Sequence, residues 1–149
     1  MALVIQRIED LQKIDCSRLI QESEAEGYRF VRRLCEDYNM GRNRFDKQGE
    51  ALFGVWNESD ELIAIGGVNQ SPFSDSGRIG RLRRFYVRPD SRRQGIGTML
   101  LREITEFSKG NFDEMTLRTD SAKSDAFYRA NGFMDTDQFP ESTHKMLLQ

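Results

Sequence analysis

The chain has one histidine, one tryptophan, three prolines and two cysteines in 149 residues. Each shortage closes a route. With His144 the lone histidine and only Cys16 and Cys35 beside it, no Cys/His set has metal-ligand spacing, so no metal centre is expected. The same two cysteines, without a secretory context, read as free buried thiols and not as a disulfide. No apolar run approaches the roughly 20 residues a membrane-spanning helix needs. The opening Met1-Ala2-Leu3-Val4-Ile5-Gln6-Arg7 turns charged too soon for a signal peptide. No membrane contact is expected, and the expected location is cytoplasmic. Repeats, low-complexity tracts and composition breaks are absent too.

What is present suits a globular protein. Hydrophobic residues make up 38% and charged residues 31%, and the length fits one domain, residues 1–149, with one sizeable core. Net charge is −2, yet from Arg78 to Arg93 seven arginines meet a single acid, Asp90. A local basic patch on a mildly acidic chain suits a small polyanion better than a nucleic-acid duplex, which calls for a basic balance over the whole surface. Arg81 and Arg83 fit a solvated strand edge equally well. Arg92 and Arg93 read as anion donors.

Periodicity lays out the elements. A weak alternation predicts a strand over Leu3 to Ile8. From Asp10 to about Gly41 helical spacing takes over, with Leu11, Ile14, Leu19 and Ile20 on one face and Tyr28, Val31, Leu34, Cys35 and Tyr38 on another; Gly27 divides two helices. Glu50 to Trp56 and Leu62 to Val68 read as hairpin-connected strands. Ile79 to Val87 is a strand whose broken alternation calls for a bulge. A helix follows on Ile96, Met99, Leu100, Ile104 and Phe107, then a strand at Met115 to Thr119. Asp120 or Ser121 caps a helix that stops at Gly132, and one or two terminal strands follow. The order gives an α/β domain with a mixed sheet in which the strand of Phe85 and the strand of Leu117 lie parallel and adjacent.

The densest signal is Arg83-Arg84-Phe85-Tyr86-Val87-Arg88-Pro89-Asp90-Ser91-Arg92-Arg93-Gln94-Gly95-Ile96-Gly97-Thr98. It runs from strand to helix through an arginine-flanked turn with two glycines. Glycine lets the backbone approach an anion, and the first turn of a helix aims unpaired N–H groups at it. Arginines add charge-assisted donors. A dinucleotide fingerprint needs a third glycine where Leu100 stands, and a Walker A loop needs a Gly-Lys pair that this turn lacks.

The pattern Arg-x-x-Gly-x-Gly after Val-x-Pro closely resembles the GNAT superfamily of acyl-CoA-dependent N-acetyltransferases. Downstream, Ala126-Phe127-Tyr128-Arg129-Ala130-Asn131-Gly132-Phe133 resembles that superfamily's second signature. The resemblance covers roughly the C-terminal half. It implies a mostly antiparallel sheet of six to seven strands with helices on both faces and a splayed pair of central parallel strands. It also implies acetyl-CoA as cosubstrate and an amine as acceptor. Gln94, Gly95, Ile96, Gly97 and Thr98 would give N–H groups to the pyrophosphate, with Arg92 and Arg93 at its side. Phe85, Tyr86 and Val87 would line the pantetheine, and Tyr128 would be the general acid. Ser121 stands where the superfamily often has asparagine, as a further cofactor contact. No general base stands out among His144, read as a surface or hairpin residue, Glu50 and Asp120. Glu22, Glu24 and Glu26 sit where a cationic amine could be drawn in. A non-catalytic acyl-CoA sensor remains the alternative, and a homodimer stays open.

Overall fold

The computed structural model describes residues 2–149; Met1, which opens the expected domain span, lies outside them. Seven strands form one sheet in the order β1-β2-β3-β4-β5-β7-β6. They are β1 (Val4–Arg7), β2 (Ala51–Trp56), β3 (Leu62–Gln70), β4 (Ile79–Val87), β5 (Glu114–Leu117), β6 (Met134–Asp135) and β7 (His144–Leu147). Every pairing is antiparallel except β4 with β5. The helices are α1 (Ser17–Ala25), α2 (Phe30–Asn39), α3 (Ile96–Lys109) and α4 (Ala122–Ala130).

Two buried clusters place helices on both faces of the sheet. Ile96, Leu100, Leu101 and Ile104 of α3 join Phe53, Val55, Ile63 and Leu82 from the strands, together with Tyr128. On the other face, Leu19 of α1 and Val31 and Leu34 of α2 join Leu52, Ile65 and Tyr86. Gly27, at φ +91, parts α1 from α2, and Gly132, at φ +97, follows α4; both adopt the left-handed region where glycine carries no Cβ penalty. Cys16 and Cys35 are free thiols, Cys16 buried as expected and Cys35 only half-buried. Among the described residues no helix is long and apolar enough to cross a membrane.

Two departures from regular pairing shape β4. Tyr86 lies opposite Ile65 and Arg83 opposite Gly67, so Arg84 and Phe85 share the single residue Gly66. This is the expected bulge, with Arg84 at φ 59. Gly66 has to be glycine here, since a Cβ on it would sit 2.8 Å from the Phe85 ring. The second departure is on the opposite edge. β4 pairs with β5 only over Ile79↔Glu114, Gly80↔Met115 and Arg81↔Thr116. Beyond Arg81 the strands part, leaving a wedge along Leu82 to Val87.

Candidate active site

The turn from β4 into α3 concentrates unpaired backbone donors. Arg93 (φ 64) and Gly95 (φ 79) are both left-handed within a few residues, which gathers successive N–H groups into a concave nest. Among the described residues, no N–H from Arg93 through Thr98 has a protein acceptor; the first helical return bond runs from Met99 N to Gly95 O at 3.0 Å. A Cβ on Gly95 would meet nothing within 4 Å, so the outer side of the nest is open. Ile96 is buried and presents only its backbone. Gly97 does something the sequence did not suggest. Its Cβ position lies 3.2 Å from the Phe127 ring and 3.7 Å from Val87, so this glycine lets α4 close against α3.

The side chain of Arg92 is engaged by protein groups. Nε donates to Val87 O at 3.0 Å, Nη1 and Nη2 donate to the two Glu26 carboxylate oxygens at 2.7 and 2.6 Å, and the guanidinium lies 5.5 Å from the Tyr86 ring centroid. Tyr86 Oη also donates to Glu26, at 2.5 Å. These bonds, Arg92's first, hold the Glu26 carboxyl below its usual range. Exposed Arg93 is left free beside the nest.

The basic patch read from the sequence is dispersed. Arg78 pairs with Asp113, Arg84 with Asp37, and buried Arg88 with Asp90, Glu22 and Glu61, while Arg81 donates to Glu141 O and Ser142. Acids from distant segments meet them, with Asp37 of α2 and Glu22 of α1 reaching Arg84 and Arg88 on the sheet face that Tyr86 shares. Of the seven, Arg83 and Arg93 keep no side-chain partner among the described residues. The glutamates are taken as well: Glu22 by Arg18 and Arg88, Glu24 by Arg32, Glu26 by Arg92. All three members of that trio are thus already engaged by arginines.

Backbone and aromatic rings line the wedge. Arg88 N returns to Ile63 O at 2.9 Å and Tyr86 faces Ile65, so alternation turns the polar groups of Val87 toward the wedge. The Phe85 ring lies 5.9 Å from Phe127 and 6.3 Å from Tyr128. Tyr128 is 8% exposed, enclosed also by Phe133 and His144, and its hydroxyl has no hydrogen bond among the described residues. Burial pushes its phenol well up, so it stays protonated at neutral pH. Ser121 caps α4, its Oγ accepting from Ser124 N at 3.2 Å.

The three residues weighed as bases fare differently. His144 is buried, not on the surface, because β7 lies between β5 and β6 and α4 covers it; Nε2 lies 2.6 Å from Asp125 Oδ1 and Nδ1 2.7 Å from Thr143 Oγ1. Asp125, Asp135 and His144 bring ligand atoms within 4.8 Å of one another, and Arg129 bonds both aspartates, offsetting one of their two charges. Glu50 accepts from Lys47 N at 3.2 Å and Gln70 N at 2.9 Å, which occupies both carboxylate oxygens with backbone. Asp120 is exposed just before α4.

A wedge between two parallel strands, with an open nest of N–H groups at its mouth, is the arrangement the two sequence motifs implied. The family model for the acetyltransferase (GNAT) family matches residues 10–133. The chain belongs to the GNAT acetyltransferases. Solved structures agree on the fold. A candidate acetyltransferase from Exiguobacterium sp. 255-15 is 29% identical with a TM-score of 0.88, over 99% of this chain and 94% of that one. A GNAT-family acetyltransferase from Streptococcus pneumoniae is 15% identical with a TM-score of 0.77, over 99% and 100%. The PaiA N-acetyltransferase from Thermoplasma acidophilum, solved with coenzyme A, is 17% identical with a TM-score of 0.64, over 99% of each chain. No curated protein matches the sequence. GNAT membership accounts for acyl transfer from an acyl-CoA. It leaves the tie between Glu26 and Arg92 unexplained, and no sequence motif announced that tie, because its partners lie 66 residues apart.

Proposed function

We propose that the protein is an N-acetyltransferase whose single domain, residues 1–149, passes the acetyl group of acetyl-CoA to a primary amine by direct attack while both are bound. One observation carries this reading: the unclaimed N–H groups of Arg93 to Thr98 open onto a wedge that leads to a protonated tyrosine. Acetyl-CoA supplies a thioester whose carbonyl carbon the amine attacks and whose thiolate leaves.

The chain's part is positioning and charge. The nest, the positive end of the α3 dipole and Arg93 suit a pyrophosphate. The Val87 N–H on the open edge of β4 suits an extended amide-bearing arm, while Val87 O already accepts from Arg92 Nε. As the C–N bond forms and the C–S bond breaks, Tyr128 gives its proton to the thiolate and regains one from solvent, while the amine's surplus proton leaves to water. Burial weakens Tyr128 as an acid, but it also strips the thiolate of hydration in the same wedge, so both partners shift in one direction.

Two measurements test this. Acetyl-CoA at about one hundred times its dissociation constant should stabilise the fold by roughly 2.7 kcal/mol, on the order of 5 to 10 °C in melting temperature. A panel of amines should then release thiol from acetyl-CoA. Absence of any melting shift at millimolar acetyl-CoA refutes the donor site; binding without turnover of any amine reassigns the chain as an acyl-CoA sensor.

A further inference from the structure

An open cavity of about 570 Å³ lies where the loop after α2 faces the ends of β2 and β3. Four cationic side chains line it, Arg42, Arg44, Lys47 and Arg83, against two acids, Asp46 and Glu50. Glu50 is spent on backbone N–H groups. Asp37 stands 3.5 Å from Arg42, and Arg44 donates through Nε to Tyr38 O at 3.1 Å. Lys47 and half-buried Arg83 have no side-chain partner among the described residues. A guanidinium withdrawn from water without a partner is costly, and its planar fork suits a carboxylate or phosphate.

Arg83 also stands at the right place. It directly precedes the bulge at Arg84, two residues before Phe85 and close to Arg81, where β4 and β5 part. Two residues of strand span about 7 Å, within reach of an extended amino acid. We propose that this cavity holds the anionic part of the acceptor, so that the amine acetylated belongs to a small molecule carrying a carboxylate or a phosphate. The inference rests on the acetyltransferase reading. An acceptor with only ammonium groups would meet four cations against Asp46 and Glu50 here, and would find Glu22, Glu24 and Glu26 already paired.

Thiol release from acetyl-CoA, measured on matched pairs, tests it: L-amino acids against their amides, and O-phosphoethanolamine against ethanolamine. In at least one pair the anionic member should be used at least about tenfold better in kcat/KM, and the pair that discriminates tells carboxylate from phosphate. For that acceptor Arg83→Met should raise KM about 10- to 100-fold with kcat changed only a few-fold, the size expected for one hydrogen-bonded charge. Arg83→Lys should recover part of it, and exposed Lys47→Gln should raise KM about threefold, as a solvent-screened charge does. An acetyl-CoA melting shift retained in Arg83→Met shows an intact fold and donor site. Neutral members used as well as anionic ones overturn the inference and leave the acetyltransferase reading standing. No turnover of any amine overturns both.

Discussion

The two ends of the β4 wedge are built from different materials. At the Val87 end the groups without a protein acceptor are backbone N–H donors, contiguous from Arg93 to Thr98 and shaped by local φ angles. At the Arg83 end they are side chains drawn from the loop after α2, from β3 and from β4. Backbone recognition is carried by consecutive residues and cannot be edited one side chain at a time. A side-chain wall can be re-cut by single substitutions. A family that keeps one donor and changes acceptors would divide the labour this way, and the proposed donor and acceptor sites fall on the same line.

The sharpest test of the comparison is Tyr128→Phe, since its ring packs beside Phe85, between Arg83 and Val87 on β4. The Tyr128 hydroxyl has no hydrogen bond among the described residues, so melting temperature and acetyl-CoA affinity should barely change, while turnover should fall on the order of 10²-fold. Because burial raises its pKa, no loss of rate attributable to Tyr128 should appear on the alkaline side up to about pH 10, the ordinary phenol value. Wild-type turnover in the variant would make Tyr128 a packing residue.

Next in size is Gly95→Val. A Cβ there meets no neighbour, so the effect is purely one of backbone conformation: a branched residue at φ 79 costs on the order of 1–2 kcal/mol or somewhat more. Re-shaping the nest should weaken acetyl-CoA about tenfold by calorimetry, roughly one lost charge-assisted hydrogen bond. Unchanged affinity would mean that the anion is held by side chains after all, and the contrast between the two ends would collapse. Substitution at Gly97 acts otherwise, by displacing Phe127.

Glu26→Gln has the smallest expected effect and the opposite sign. It releases Arg92, which is then free to face the nest, so acetyl-CoA should bind about two- to fivefold tighter, the scale of a partly exposed ion pair. The same pair has a pH signature. Glu26's folded pKa lies below its usual 4.5, so its contribution to stability is present above that value and fades as pH falls through the lower folded one. The melting-temperature gap between wild type and Glu26→Gln should therefore narrow below about pH 4.5. Weaker acetyl-CoA binding in the variant would show Arg92 to be a structural tie only.

By itself the sequence determined whatever is governed by neighbours along the chain. Alternation and helical spacing placed the strands and helices within a few residues. The break in β4's alternation foretold a bulge, which the fold puts at Arg84, and Gly95 marked the turn into α3. It also determined the parallel neighbours β4 and β5, since the connection between them contains a helix. Tertiary structure alone decided which charges remained free. Arg84, Arg88 and Arg92 look like Arg83 and Arg93 in sequence, yet Asp37, Glu22 and Glu26 reach them from segments 47 to 66 residues away. It also decided that His144 is buried against Asp125 and that Gly97 serves Phe127. A side chain's partner is set by what the fold brings within hydrogen-bonding distance, about 3 Å, and no local pattern encodes that proximity.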